Sequence, residues 1–313
     1  MLSIELIRQD PGLVRRALAS RGEIDQVDQI LGIDTQRRQA VTQGDELRGR
    51  RNQVSRQVGQ ARSAGQEPPP ETVQEMRDVG AEISRLEQEV KGLDEQMRDI
   101  LLTLPNIPLT DVPHGLDESA NVIVRQWGEP RAFDFTPEPH WDLGERLGII
   151  DFEKGVKLSG SRFYTMFGAG AKLERSLIGW MLDLHTQDHG YTEVMIPSVV
   201  KRETMEGSGN LPKFSDTLYR DEESDLWMVP TAEVPMTSLH RDDVLPPGSL
   251  PIYYVAHTPC YRNEKASASR DTRGIKRVHQ FNKVEMYKLV TPETSPDELE
   301  SLVADAEDVC RKL

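Results

Sequence analysis

Thr258-Pro-Cys-Tyr-Arg-Asn-Glu-Lys-Ala-Ser-Ala-Ser-Arg-Asp-Thr-Arg-Gly-Ile-Lys-Arg-Val-His-Gln-Phe-Asn-Lys-Val-Glu-Met-Tyr-Lys288 reads as two strands joined by a long charged loop. The first strand ends in Arg262-Asn-Glu264. From Lys276 to Lys288, Val278, Gln280, Asn282, Val284 and Met286 alternate with Arg277, His279, Phe281, Lys283 and Glu285. A period of two predicts a strand with two unlike faces. One face offers an arginine, a histidine, an aromatic ring and a carboxylate, a set suited to holding a polyphosphate, stacking a flat base and pairing an ammonium group.

The chain has 313 residues, 37% of them hydrophobic, which allows one or two domains with a real core. No apolar run approaches the ~20 residues that span a bilayer, and the acid-bearing start lacks a signal-peptide pattern. Two cysteines, Cys260 and Cys310, cannot form a disulfide framework. These features lead to the expectation of a soluble cytoplasmic protein with no membrane partner. Cys260 is expected to be a buried strand residue rather than a nucleophile. The net charge of -14 argues against nucleic acid, but local phosphate neutralisation matters more than the sum. Between Thr35 and Ala64, Arg37, Arg38, Arg48, Arg50, Arg51, Arg56 and Arg62 face only Asp45 and Glu46.

Those arginines fall on a periodic segment. Ile30, Ile33, Arg37, Ala40, Gly44, Leu47, Arg51, Val54, Val58 and Ala61 recur at three- and four-residue steps, as do Met76, Val79, Ile83, Leu86, Val90, Leu93, Met97, Ile100 and Leu104. The spacing is that of a coiled-coil seam. Residues 63–70, ending in three prolines, form a tip neither helix can traverse. An antiparallel hairpin over residues 30–104, about 50 Å long at ~1.5 Å per residue, is therefore expected. The second helix is acid-rich, so the arginines either pair across the hairpin or lie on an RNA backbone. Before the arm, Asp10-Pro11 reads as a helix start. After it, Leu104-Pro-Asn-Ile-Pro108 begins an extended linker, and Pro139 to Leu143 with Ser159 to Tyr164 read as the first strands of a globular body.

Within that body, Leu173 to His189 reads as a helix, followed by Gly190-Tyr-Thr-Glu-Val-Met-Ile-Pro197. His185 and His189 have the spacing of a metal pair but no evident third ligand, so they read as polar helix-face residues and no zinc is expected. Gly207-Ser-Gly-Asn-Leu-Pro-Lys-Phe214 and Met228-Val-Pro-Thr-Ala-Glu-Val-Pro235 are loops with chemistry-bearing side chains. Ser295-Pro-Asp-Glu298 reads as a capping box opening a final helix.

Taken together these blocks resemble seryl-tRNA synthetases, a family of class II aminoacyl-tRNA synthetases, over the whole chain. Residues 258–288 resemble motif 2, residues 173–197 resemble motif 1, and Thr231-Ala-Glu233 is the family's signature. The 207–214 loop resembles Gly-Thr-Gly-Gln-Leu-Pro-Lys-Phe of an active-site lid. The resemblance implies an α+β protein: an antiparallel coiled-coil arm for tRNA in residues 1–108, then a class II catalytic body in residues 109–313. That body would be a mixed, mainly antiparallel sheet with flanking helices.

It also implies the chemistry. Serine and ATP give seryl-adenylate and pyrophosphate, then the acyl group moves to tRNA(Ser), and to tRNA(Sec). Magnesium accompanies ATP, and motif 1 implies a homodimer. Arg262 is the implied catalytic residue, a guanidinium bridging the serine carboxylate and the α-phosphate. Thr231, Ala232, Glu233 and Glu285 would bind L-serine, Glu285 through the ammonium; the competing reading of Glu233 is a helix cap. Arg262, Asn263, Glu264, Arg277, Val278 and Phe281 would bind ATP, Glu264 at the adenine amino group and Phe281 on the ring. Arg37, Arg38, Arg48, Arg51, Arg56 and Arg270 would contact tRNA. Lys265, Ala266 and Ser269 depart from the family's glycine-containing loop. Motif 3, its arginine and its metal ligands are absent, so the expectation is a truncated chain that holds no metal and does not activate serine alone. Two other readings are a ligase that charges a carrier protein and a non-catalytic RNA-binding scaffold.

Overall fold

The computed structural model describes residues 1–65, 67–265 and 273–313. They form two compact units, Met1–Gly128 and Glu129–Leu313.

The first unit is helical. The Ser3 hydroxyl accepts the Leu6 N–H and opens α1 (Ile4–Gln9). Asp10 accepts the Leu13 N–H at 2.8 Å and Pro11 takes the first helical position, which starts α2 (Pro11–Ser20) as the sequence predicts. Two long helices follow, α3 (Val27–Ser63) and α4 (Pro70–Thr103). They run antiparallel, because Arg37, Arg48 and Arg50 of α3 pair with Asp94, Glu87 and Glu75 of α4 in reverse order. The root of the hairpin has a real core of Ile7, Val14, Leu18, Val27, Ile30, Leu101 and Leu104. Arg8 of α1 reaches the buried Asp34 of α3 with both ends of its fork, at 2.8 and 3.0 Å. Along α3 the last buried residue is Gly44; toward the tip Leu47, Val54 and Val58 are only half-buried. Two helices alone cannot enclose a seam, so ion pairs supplement apolar packing there.

The second unit opens with α5 (His140–Arg146), β1 (Ile150–Asp151), α6 (Phe152–Ser159) and β2 (Thr165–Met166). The segments expected to be the body's first strands are thus mostly helix: Pro139 sits at the N-cap of α5 with Asp142 in its first turn, and only the short β1–β2 ladder is strand. Next come α7 (Ala169–Gln187), β3 (Thr192–Glu193), β4 (Val199–Lys201), α8 (Arg202–Gly207), β5 (Arg220–Asp221), β6 (Leu226–Met228) and α9 (Glu233–Thr237). The unit closes with β7 (Ile252–Tyr261), β8 (Gln280–Leu289) and α10 (Ser295–Lys312). β4, β6 and β5 form an antiparallel sheet over Trp227, Met205, Leu211 and Val229. The other main sheet has the order β3-β7-β8, with β3 parallel to β7 and β8 antiparallel to it. The architecture is α+β, a helical hairpin and a mixed, mainly antiparallel body.

The β7–β8 hairpin positions the site. Its register pairs Ala256 with Glu285, Thr258 with Lys283 and Cys260 with Phe281. Alternate residues share a face, so Phe281, Lys283 and Glu285 lie with Cys260, Thr258 and Ala256, while Asn282, Met286 and Lys288 point the other way. β8 begins at Gln280, four residues later than the alternation suggests. Before that point Arg277 turns to Glu264, and the His279 N–H donates to the Arg162 carbonyl rather than to a ladder partner.

The second face of the hairpin carries a polar anchor. Lys288 Nζ lies 2.9 Å from Glu298, 3.0 Å from Ser301 and over the Tyr253 ring. The Tyr253 hydroxyl donates to Glu298 and its pKa is pushed up to about 12, first by that bond. Glu298 therefore docks α10 onto the sheet instead of closing the expected capping box; Thr294 is the N-cap and makes no side-chain cap bond. His185 and His189, read from the sequence as polar helix-face residues, are tied into the body. His185 is buried, its Nδ1 is 2.9 Å from Nδ1 of His189, and His189 Nε2 meets Asp308 of α10 at 3.0 Å. Sequence spacing shows the i,i+4 pair but not the acids more than a hundred residues away.

Candidate active site

On the first face of the hairpin, Glu285 is the centre of a polar cluster. Its Oε2 accepts from the Thr231 hydroxyl and from the Glu233 N–H at 3.4 Å, and forms an ion pair with Lys283 Nζ at 2.9 Å. Thr231 and Ala232 are buried, and Ala232 packs with Ile196, Met236 and Ala256 beneath the cluster. The prolines on either side hold this turn, and Ala232 is the N-cap of α9. Glu233 is the first residue of α9, but its side chain makes no cap bond. Its carboxylate makes no hydrogen bond or ion pair among the described residues and borders a cavity of about 260 Å³ between β8 and α10, with Glu285, Tyr287, Lys288, Glu298 and Leu302. Two carboxylates beside a buried threonine form a natural seat for an ammonium group and a small hydroxyl.

Further along, the Arg262 guanidinium lies 5.1 Å from the centre of the Phe281 ring, and its Nε donates to the Pro230 carbonyl at 3.3 Å. The Arg262 N–H donates to the His279 carbonyl at 2.9 Å, and His279 Nδ1 returns a bond to the Arg262 carbonyl at 2.9 Å. His279 is thus committed to holding two backbones together. Asn263 donates its N–H to the Thr217 carbonyl at 2.8 Å, which ties the end of β7 to the segment after the 207–214 loop. In that loop Leu211 belongs to the Trp227 core, while Phe214 is exposed.

Glu264 has a φ of 48°, the left-handed region that costs a non-glycine residue about 1 kcal/mol. That turn points its carboxylate at Arg277, with NH1 to Oε2 at 2.7 Å. Val278, between Arg277 and His279, is buried. Cys260 is fully buried, and burial pushes its thiol pKa up, so it is an inert strand residue. The structure thus brings Thr231, Ala232, Glu233 and Glu285 together, and places Arg262 with Phe281 and Glu264 with Arg277 at the adjoining end of the hairpin. Lys283 was on the right face in the sequence but had no role assigned; its contact with Glu285 is the signal.

In the first unit, Arg37 pairs with Asp94, and Arg48 with Asp45 and Glu87 at 2.7 and 2.8 Å. These two arginines follow the cross-hairpin reading. Arg38, Arg51 and Arg56 make no ion pair among the described residues; Arg38 and Arg56 are exposed and Arg51 is half-buried on the seam. Lys265 is exposed. Arg270, Ala266 and Ser269 lie outside the described residues. No cluster of His, Cys, Asp or Glu that could hold a metal occurs among the described residues, and no helix there is long and apolar enough to cross a membrane.

A guanidinium over an aromatic ring at the end of a long antiparallel hairpin, with acids farther along the same face, agrees with the resemblance of residues 258–288 to motif 2 of class II tRNA synthetases. Residues 213–313 match the family profile described as the tRNA synthetase class II core domain (G, H, P, S and T). Residues 1–108 match that of the seryl-tRNA synthetase N-terminal domain. The chain is 56% identical over 313 residues to the serine–tRNA ligase of Thermomicrobium roseum, covering 100% of this chain and 70% of that relative. It is 55% identical over 314 residues to the serine–tRNA ligase of Roseiflexus sp., covering 100% and 73%. Among solved structures, seryl-tRNA synthetase from Pyrococcus horikoshii complexed with ATP superposes with a TM-score of 0.90 at 37% identity, covering 100% of this chain and 75% of that one. This chain belongs to the seryl-tRNA synthetase family. These relatives are aminoacyl-tRNA ligases, and that favours the ligase reading over the carrier-protein and scaffold readings.

Proposed function

We propose that this chain carries the L-serine and ATP-binding part of a serine–tRNA ligase site on the first face of the β7–β8 hairpin, and that this chain alone does not activate serine. The intact enzyme there forms seryl-adenylate and passes the acyl group to tRNA(Ser) and tRNA(Sec). The observation that carries this reading is the Glu285 carboxylate, fixed by Thr231 and the Glu233 N–H, on the same face as the Arg262–Phe281 pair. Glu285 and Glu233 take the serine ammonium, and Thr231 lies within reach of its hydroxyl. Phe281 stacks the adenine, and Glu264, with Arg277 and the backbone of Asn263 and Val278, borders it. Arg262 bridges the serine carboxylate and the α-phosphate. The carboxylate is already ionised and needs no general base, so these residues position reactants and offset charge. Magnesium would accompany ATP and offset its charge.

In the same reading residues 1–108 are the tRNA-binding arm and residues 109–313 the catalytic body, and the protein works as a cytoplasmic homodimer. The exposed Leu173 of α7 and Met195 after β3 support a partner on the motif 1 segment. Exposed Arg38 and Arg56 are the arm's first candidates for phosphate, with Arg51 beside them. Calorimetric titration of the chain with serine and with ATP tests the site. Glu285→Gln is expected to lower serine affinity about tenfold or more, the loss of a charge-assisted partner, with ATP affinity kept. Arg262→Lys is expected to weaken both. Serine bound equally well by Glu285→Gln sinks the assignment.

A further inference from the structure

We propose that Lys283 is an internal stand-in for the substrate ammonium, which serine displaces from Glu285 and which then holds the serine carboxylate. The inference rests on the serine reading of the site. Its starting point is an ammonium already seated on the carboxylate meant for the substrate: Lys283 Nζ is 2.9 Å from Glu285 Oε2, with the two side chains 31% and 18% exposed. A lysine is on a flexible four-carbon stem and carries a compact charge, so it can change partner by rotating, whereas an arginine fork could not do so as readily.

The strand's geometry says where it goes. Phe281, Lys283 and Glu285 stand on one face of β8, with steps of about 6.6–6.8 Å between neighbours on that face. Lys283 is therefore between the ammonium seat at Glu285 and the Arg262–Phe281 pair. In an amino acid the ammonium and carboxylate are separated by a single carbon. A serine whose ammonium sits at Glu285 and whose carboxylate is directed toward Arg262 places that carboxylate over Lys283. The exchange conserves charge: one ammonium leaves Glu285 as another arrives, and the freed one meets an anion. Glu285 Oε1 accepts nothing from the described residues, and Thr231 holds Oε2, so the carboxylate keeps its orientation during the exchange. Without substrate, Lys283 offsets the charge of Glu285.

A lysine that merely props Glu285 would affect every amine alike; one that changes partner would not. The full chain is titrated with L-serine and with ethanolamine, which keeps the ammonium and hydroxyl and lacks the carboxylate. In Lys283→Met, serine is expected to bind about tenfold weaker, having lost a charge-assisted partner. Ethanolamine is expected to bind about threefold to tenfold tighter, because no resident ammonium competes for Glu285. Lys283→Gln must show the same opposite shifts, and Lys283→Arg, whose fork changes partner less readily, should restore serine affinity only in part. Equal weakening of both ligands, or no change in either, overturns the exchange while leaving the serine site standing. A parent chain that binds no serine overturns the site reading itself, and the exchange with it.

Discussion

Arg8 and Asp34 offer a quantitative test of how the root of the arm is held. Asp34 is only 2% exposed, yet Arg8 meets it with two near-ideal bonds, 2.8 and 3.0 Å. Arg8→Met keeps most of the stem and removes the charge, so a carboxylate stays buried between α1 and α3 without its partner. Breaking such a pair typically costs about 3–5 kcal/mol. The Arg8 side chain is 34% exposed, so water reaches one side of the site and the lower end, about 3 kcal/mol, applies. A unit of this size melts roughly 3–5 °C lower per kcal/mol, which gives about 9–15 °C. Far-ultraviolet circular dichroism follows this melt, since helix dominates the first unit. The double variant Arg8→Met/Asp34→Leu should recover most of the loss, because removing both charges leaves no ion in the core. A drop of under about 3 °C in the single variant, or a double variant no better than the single, refutes the argument.

Four other outcomes follow from the structure. Burial first, and then the neighbouring His189, lowers the His185 pKa from its ordinary 6.5, against the opposing pull of Asp305 and Asp308. The unfolded chain thus takes up the proton first as pH falls, so this stabilisation is whole above pH 6.5 and declines as pH drops toward the folded value. Calorimetric melts of the second unit should fall over that window, and His185→Gln should flatten the slope. Gly274 has a φ of 78°, and a Cβ there would sit 2.1 Å from His140 Nε2, which accepts the Ile275 N–H at 2.8 Å. Gly274→Ala is expected to cost about 2–3 kcal/mol and to shift tryptophan fluorescence, as Arg273 leaves the Trp141 ring; an unchanged melt and spectrum would contradict it. Arg38→Ala and Arg56→Ala should each weaken tRNA binding and lower the log–log salt slope by about one in filter-binding assays. Arg37→Ala should instead lower the melting temperature of the arm, through loss of its pair with Asp94.

Elements with strong local signals were legible in the sequence. The hairpin helices announced themselves because a seam needs a fixed repeat and three prolines stop a helix. That Thr231, Glu233 and Glu285 come together could be anticipated because short motifs carry them in order. What escaped were partners set by tertiary packing. Glu298 sits where a capping box is written, yet Lys288 and Tyr253 are better partners for its carboxylate than a helix end open to water. Pro139 to Leu143 looks extended by composition, but a proline N-cap and an early aspartate start a helix. The His185–His189 pair needed Asp308, which no local window contains, whereas Lys283 stood two residues from Glu285 on the same strand face and only its ion pair with that acid was missing from the sequence reading.

The thin outer half of the arm has a consequence for measurement. Past Gly44 of α3 no residue of that helix is buried, and Arg48–Glu87 and Arg50–Glu75 pairs bridge the two helices. Added salt screens those bridges together with any contact to phosphate. A salt titration of the intact arm therefore reads two processes at once, counterion release from the RNA and loosening of the lever that reaches it. The apparent number of phosphates neutralised would come out too large. The change in slope on replacing Arg38 or Arg56, which have no ion-pair partner among the described residues, separates the two.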